Sequence, residues 1–299
     1  MQHIIPDFYE SFRCKADTCQ HTCCRGWEID IDDTTAAQYQ AMSGSIGDDL
    51  RTSMVCDEEG NWQFNLSGSD ECCPFLQPNG LCRLILTLGE GALCDICTLH
   101  PRFYEVVDTP TGPVELGGVG LCCEKSCELL LSSDGPLQFI QSETKELLSF
   151  AALLAYIQLP IPTAQQVYAP KDSTAYGKFV LDCLSQTEPI NNAWTQQIQR
   201  MQAQEDSLQQ QMTTVCKKGL PSYWNRIYQY ILYRQLEQCN TWPIDVVTAY
   251  AHMNTTFIVL AYLQTGCLAE AIRMWSEQIE YDTENVAVLL DMLVSYISS

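Results

Sequence analysis

Thirteen of the chain's 17 cysteines fall within its first 127 residues, nearly all in four clusters. The first holds Cys14, Cys19, Cys23 and Cys24, and the second Cys72, Cys73 and Cys82. The third is Cys94 and Cys97, and the fourth Cys122, Cys123 and Cys127. Thiolates are soft, charged ligands, and three or four converging on a point bind zinc or an iron–sulfur cluster. A short spacing such as Cys94 to Cys97 sets two sulfurs on one side of a turn, so ordering them costs little entropy. The odd total argues against a fully paired disulfide framework. The opening run Met1–Pro6 lacks the basic stretch and long apolar core of an export signal. The expected compartment is therefore the cytoplasm, where thiols stay reduced and clustered cysteines serve metal or redox chemistry. The adjacent pairs Cys23–Cys24, Cys72–Cys73 and Cys122–Cys123 suit a zinc ribbon poorly. Neighbouring side chains diverge, so one of each pair is expected to ligate and the other to be a buried thiol.

Charge narrows the partners. Sixteen basic residues stand against 37 acidic ones, a formal charge of −21. A general nucleic-acid binder needs basic surface to displace counterions from phosphates, and an anionic membrane asks the same. Neither partner is expected. The run Leu147–Leu159, interrupted by Ser149 and Gln158, falls short of the about 20 residues of a spanning helix. With 46% apolar residues the chain can bury a full core.

Composition changes near residue 130. Residues 1–127 carry 7 basic against 20 acidic side chains, whereas residues 128–299 hold only Cys183, Cys216, Cys239 and Cys267. The expected organisation is a Cys-rich iron–sulfur or zinc region over 1–127 and an all-helical region over 128–299. In the first, a helix is predicted at about 33–43, opened by Asp33 and Thr34, and another at about 81–91. Residues 104–107 and 113–116 flank a turn at 108–112, predicting a β-hairpin. In the second, apolar residues recur at helical spacing over 136–159, 191–216 (with Glu205 interrupting) and 222–239. Pro243 suits the first turn of a helix running to about Leu263, and Gly266 its C-terminal cap. Helices at about 268–280 and 283–298 follow. The fold class is thus mainly α: an irregular Cys-rich metal-binding N-terminal part with a small β-hairpin, then a helical bundle.

Several ordered blocks carry a family resemblance. The run from Phe12 through Cys14, Cys19, Cys23 and Cys24 to Trp27 resembles the opening of the flagellin lysine-N-methylase family. Cys73-Pro74-Phe75-Leu76, Gly80-Leu81-Cys82-Arg83, Cys97 with His100-Pro101-Arg102, and Cys123-Glu124 resemble its later blocks. The stretch also overlaps a broader group of Cys-rich zinc- or iron-chelating domains. The resemblance implies methyl transfer from S-adenosylmethionine to lysine side chains of flagellin, and a [4Fe–4S] cluster. It places the family's cysteines on Cys14, Cys19, Cys23, Cys24, Cys73, Cys82, Cys97 and Cys123. Eight exceed what one cubane needs, so the set includes non-ligands or a second site.

Other residues are open to two readings each. Val114–Gly120, with Gly117, Gly118 and Gly120, superficially resembles a cofactor loop, but no alternating strand–helix pattern surrounds it. Its glycines are expected to permit tight backbone near a metal. A radical enzyme's cysteine triplet is absent, since Gly26 sits where its third cysteine belongs. His100 is a candidate ligand or proton acceptor, against a structural hydrogen bond. Asp95 is an acid–base candidate by proximity alone. Arg102 is a candidate partner for the cofactor's carboxylate, against neutralisation of thiolates. Trp27 is a candidate platform for adenine or sulfonium, against core packing. Three functions compete: a lysine methyltransferase, a non-catalytic zinc- or iron-binding module on a helical interaction platform, and an electron-transfer protein.

Overall fold

The computed structural model describes residues 2–66, 71–171 and 173–298. Helix occupies 54% of the described residues, so the mainly-α expectation holds at that level. The polypeptide divides into two compact units, one of Arg13–Pro101 and one of Met1–Phe12 with Arg102–Ser299. These boundaries follow backbone packing and differ from the compositional break near residue 130.

The larger unit is built on a five-stranded sheet. Its strand order is Arg102–Val107, Val114–Val119, Gln2–Pro6, Gln138–Gln141, Leu147–Ser149. The first two form the predicted hairpin, in register Glu105 to Leu116. Gln2–Pro6 lies parallel to Val114–Val119, with Ile4 opposite Leu116, and the other pairs are antiparallel. The helix predicted across 136–159 is a correction. Leu137, Phe139 and Leu148 turn inward from a hairpin, and helix runs only over Phe150–Tyr156, capped by Ser149. The helical region therefore packs on a sheet rather than standing as a bundle alone.

Helices downstream follow the apolar periodicity. Asn192–Ala203 and Glu205–Lys218 are separate, broken at Gln204 beside the interrupting Glu205. Tyr223–Arg234 lies on the sheet: the Tyr230 hydroxyl donates to Val119 O at 2.7 Å and accepts from its N–H at 2.8 Å. Ile244–Thr265 is apolar nearly all round, the mark of a central helix. Gly266, at φ 74°, ends it in the left-handed conformation that glycine adopts freely. This helix has the length and composition to cross a membrane, yet 78% of its most apolar window is buried inside the unit. Asn254 within it accepts the Trp275 indole N–H at 2.7 Å, so that buried amide is satisfied. Leu268–Ile279 and Thr283–Ile297 complete the unit.

The Gly117–Gly120 segment makes no strand-to-helix loop. Gly117 and Gly118 are strand residues. A Cβ on Gly118 would lie 2.3 Å from Phe103 Cζ, and one on Gly120 would lie 1.7 Å from the Tyr281 hydroxyl. These glycines make room for aromatic rings packed against the strand and its exit.

The smaller unit has a three-stranded antiparallel sheet, ordered Asp30–Ile31, Trp62–Phe64, Met54–Cys56. Helices Asp33–Ala41, Ser45–Ser53, Arg83–Leu88 and Asp95–Leu99 surround it. The first is capped by Asp32, whose carboxylate accepts from Thr35 N at 2.9 Å, one residue ahead of the predicted cap. The predicted helix at 81–91 shortens to Arg83–Leu88, ended at Gly89. Tyr39, Leu50, Phe64, Phe75 and Leu84 form its core, and Cys73 and Cys94 are buried with them.

Candidate metal centre

Three stretches bring thiols together in the smaller unit. Cys24 and Cys73 are tied by the backbone: Cys73 N donates to Cys24 O at 2.9 Å, and Arg25 bridges Cys72 beside them. A tight turn closes the second stretch. Gln77 N donates to Leu81 O at 2.9 Å and Arg83 N to Phe75 O at 2.8 Å, which folds Cys82 back beside Leu76. Gly80, at φ 80°, makes that turn possible. Cys82 immediately precedes the helix Arg83–Leu88, and Cys94 the helix Asp95–Leu99. One turn of the latter carries Cys97 back toward Cys94, as their spacing predicted.

The electrostatics place these sulfurs in one neighbourhood. Cys24 is drawn down to about 6 by its hydrogen bond with the Cys23 thiol, against burial and with help from Thr22. Burial pushes Cys73 up to about 12, and the negative charges of Cys24 and Cys82 add to this. The hydrogen bond between Cys94 and Cys97 lowers the first and raises the second, with burial raising Cys97 further. Charge on Cys24 and Cys73 also reaches Cys97. Burial, and next the charges of Cys94, Cys97 and Cys82, hold the Tyr39 phenol neutral, and its hydroxyl donates to Ala92 O at 2.5 Å. Such mutual repulsion among thiolates is what a cation relieves.

Among the described residues, however, no three His, Cys, Asp or Glu side chains converge closely enough to hold one ion. Charge coupling reaches farther than a metal–sulfur bond of about 2.3 Å. The thiols therefore share a neighbourhood without closing a ligand shell. In donor chemistry, Cys24, Cys73, Cys82, Cys94 and Cys97 suit a sulfur-ligated zinc or iron centre.

The remaining sequence candidates fall elsewhere. Cys14 is exposed and accepts from Ala16 N at 3.4 Å, and Cys19 donates to His21 O at 3.4 Å. Cys23 is exposed, its thiol hydrogen-bonded to Cys24. Cys123 belongs to the larger unit, at the start of helix Glu124–Leu131. Cys94 joins the thiols although the resemblance did not include it, and its spacing to Cys97 was the available signal. Trp27 is half-buried in the smaller unit. Asp95 is exposed, its N–H donating to Asp32 Oδ2 at 3.0 Å. Burial lowers His100 to about 4, so its imidazole is neutral at pH 7. Arg102 lies in the larger unit, its guanidinium over the rings of Phe12 and Tyr9 at 5.3 and 5.8 Å.

Comparison with known proteins finds relatives whose names agree with the family that the motifs resemble. The chain is 33% identical over 103 residues to the flagellar biosynthetic protein FliU of Salmonella muenchen. It is 32% identical over 106 residues to a lysine-N-methylase of Salmonella typhimurium, and equally to one of Salmonella choleraesuis. Each match covers 33% of this chain, 61% of FliU and 26% of either lysine-N-methylase. The chain thus spans about a quarter of the length of the curated lysine-N-methylases it matches. No family model matches, and no solved structure does.

Proposed function

We propose that the chain takes part in methyl transfer from S-adenosylmethionine to lysine side chains of flagellin, in the cytoplasm. The observation that carries this is the similarity, over a third of the chain, to proteins named lysine-N-methylase and FliU. The clustered thiols support a [4Fe–4S] centre held by four of Cys24, Cys73, Cys82, Cys94 and Cys97, with zinc as the alternative. Bound there, the cluster would bind or orient S-adenosylmethionine, or simply hold the fold. Methyl transfer forms a nitrogen–carbon bond as the sulfonium's carbon–sulfur bond breaks, leaving the neutral thioether. The amine must first lose its proton, and lysine's ordinary pKa of about 10.4 makes desolvation or a base necessary. The chain's −21 charge favours encounter with cationic segments.

The test is anaerobic purification, metal analysis, then incubation with flagellin and methyl-labelled S-adenosylmethionine. The expected result is label on flagellin lysines in steps of one methyl unit. Unlabelled flagellin, with protein carrying its full metal complement, would overturn the reading. The short coverage of the lysine-N-methylases favours one rival, a metal-binding module without catalysis. That rival predicts metal-dependent folding with no heat of cofactor binding.

A further inference from the structure

The smaller unit is an insertion in the larger one. The chain leaves the larger unit after Phe12 and re-enters it at Arg102, so all of Arg13–Pro101 is a single excursion. Both ends of that excursion are held by side chains outside it. The Arg102 guanidinium lies over the rings of Phe12 and Tyr9, at 5.3 and 5.8 Å. The Tyr9 hydroxyl meets that of Tyr104 at 2.9 Å, within the strand Arg102–Val107. Tyr9, Phe12 and Phe103 are buried in the larger unit's core. Entry and exit are therefore stapled to each other by residues that belong to the larger unit.

Each unit also carries its own support. Tyr39, Leu50, Phe64, Phe75 and Leu84 form a core inside the excursion, whereas all five strands of the larger sheet lie outside it. Gln2–Pro6 is the middle strand of that sheet, paired with Val114–Val119 on one side and Gln138–Gln141 on the other. When Arg13–Pro101 opens it becomes a long loop whose ends stay pinned, and the entropy of a loop between fixed ends grows only slowly with its length. Buried thiols sit in both cores. Cys73 and Cys94, 8% and 1% exposed, lie in the excursion, and Cys127 and Cys183, both 0% exposed, lie in the larger unit. Cys73 and Cys94 pack in the same cluster as Phe64, Phe75 and Tyr39. Fraying of a loop tip does not bare them; that core has to come apart.

We propose that Arg13–Pro101 opens and closes as one body on the Tyr9–Phe12–Arg102–Tyr104 staple while the sheet stays folded, and that this opening makes Cys73 and Cys94 reachable from solution. Contiguous cooperative units open at free energies below that of global unfolding. The same opening admits a soft ion or an alkylating reagent. Access of this kind is independent of whether the chain methylates lysine.

The test is pulse labelling of the full chain with iodoacetamide at rising sub-denaturing urea, read by mass spectrometry. The chain is kept reduced by a phosphine and free of metal by a chelator. Exposed Cys56 and Cys267, one in each unit, give the unprotected rates. Cys73 and Cys94 are expected to label together, with one urea dependence. Cys127 and Cys183 are expected to lag by at least about tenfold until the larger unit unfolds. Arg102→Ala removes the stacked guanidinium from the larger unit. It is expected to bring labelling of Cys127 and Cys183 to lower urea and to leave Cys73 and Cys94 where they were. One shared urea dependence for all four thiols, Cys127 or Cys183 labelling first, or separate opening of Cys73 and Cys94 would overturn the proposal. So would a shift of Cys73 and Cys94 together with the larger unit's pair in Arg102→Ala. If that variant does not fold, the four wild-type profiles decide alone.

Discussion

The hydroxyl of Tyr233 donates to the carbonyl of Ile4 at 2.8 Å, joining residues 229 positions apart. The same hydroxyl reaches Gly117 O at 2.9 Å, so one side chain holds both strands of the sheet's parallel pair to helix Tyr223–Arg234. The Tyr233 ring also packs on Phe139, 4.7 Å between centroids. Tyr233→Phe keeps the ring and removes the donor. It is expected to cost about 1–2 kcal/mol, read as a lowered urea midpoint with an unchanged slope.

Arg234 is buried against Glu280, whose side chain is fully inaccessible. The Ser276 hydroxyl also donates to that carboxylate. Arg234→Met fills the space between the rings of Phe103 and Tyr281 but leaves a buried carboxylate without its counter-charge. Destabilisation of about 3–5 kcal/mol is expected by urea unfolding, partly recovered by adding Glu280→Gln.

His252 makes the larger unit sensitive to acid. Its Nε2 donates to Ala169 O at 2.7 Å, and its Nδ1 accepts from the Tyr176 hydroxyl at 2.8 Å. Burial first, and the charge of Lys171 less so, lower it from 6.5 to about 4. The unfolded chain takes up a proton below about 6.5 that the folded chain refuses until about 4. Its contribution is therefore whole above 6.5 and lost as pH falls toward 4, up to about 3 kcal/mol. Urea midpoints at pH 7 and 4.5 check this, and His252→Gln should narrow the gap between them.

Serine substitutions sort the thiols. Cys24→Ser, Cys73→Ser, Cys94→Ser and Cys97→Ser are expected each to lose most bound iron or zinc, measured on anaerobically purified protein. Cys14→Ser and Cys19→Ser are expected to retain it, because their sulfurs are engaged locally by Ala16 and His21.

Gly120→Ala is expected to destabilise the larger unit by about 1–3 kcal/mol or more. The added methyl would meet the Tyr281 hydroxyl, in a ring that also stacks on Arg234. A thermal midpoint within a degree of wild type would contradict that packing.

Periodicity made the helices from Asn192 to Ile297 legible, because each buries a stripe long enough to show a 3.6-residue repeat. The same test misread 136–159, where two short strands alternate inward residues closely enough to mimic that spacing. Nothing local announced that Gln2–Pro6 would pair with a strand more than a hundred residues on, since non-local pairing leaves no mark in a five-residue run. At the thiol site, spacing identified the clusters, and Cys94 was visible as the neighbour of Cys97. Which thiols share a neighbourhood depended on the turn at Gly80 and the backbone pairing of Cys24 with Cys73, both set by tertiary folding.

The strand Gln2–Pro6 leaves the ribosome ahead of Arg13–Pro101, yet the helix that grips it through Tyr233 is made more than two hundred residues later. Arg13–Pro101 emerges in between and has its own apolar centre. During synthesis it can settle around that centre while the strand Gln2–Pro6 is still waiting for its sheet.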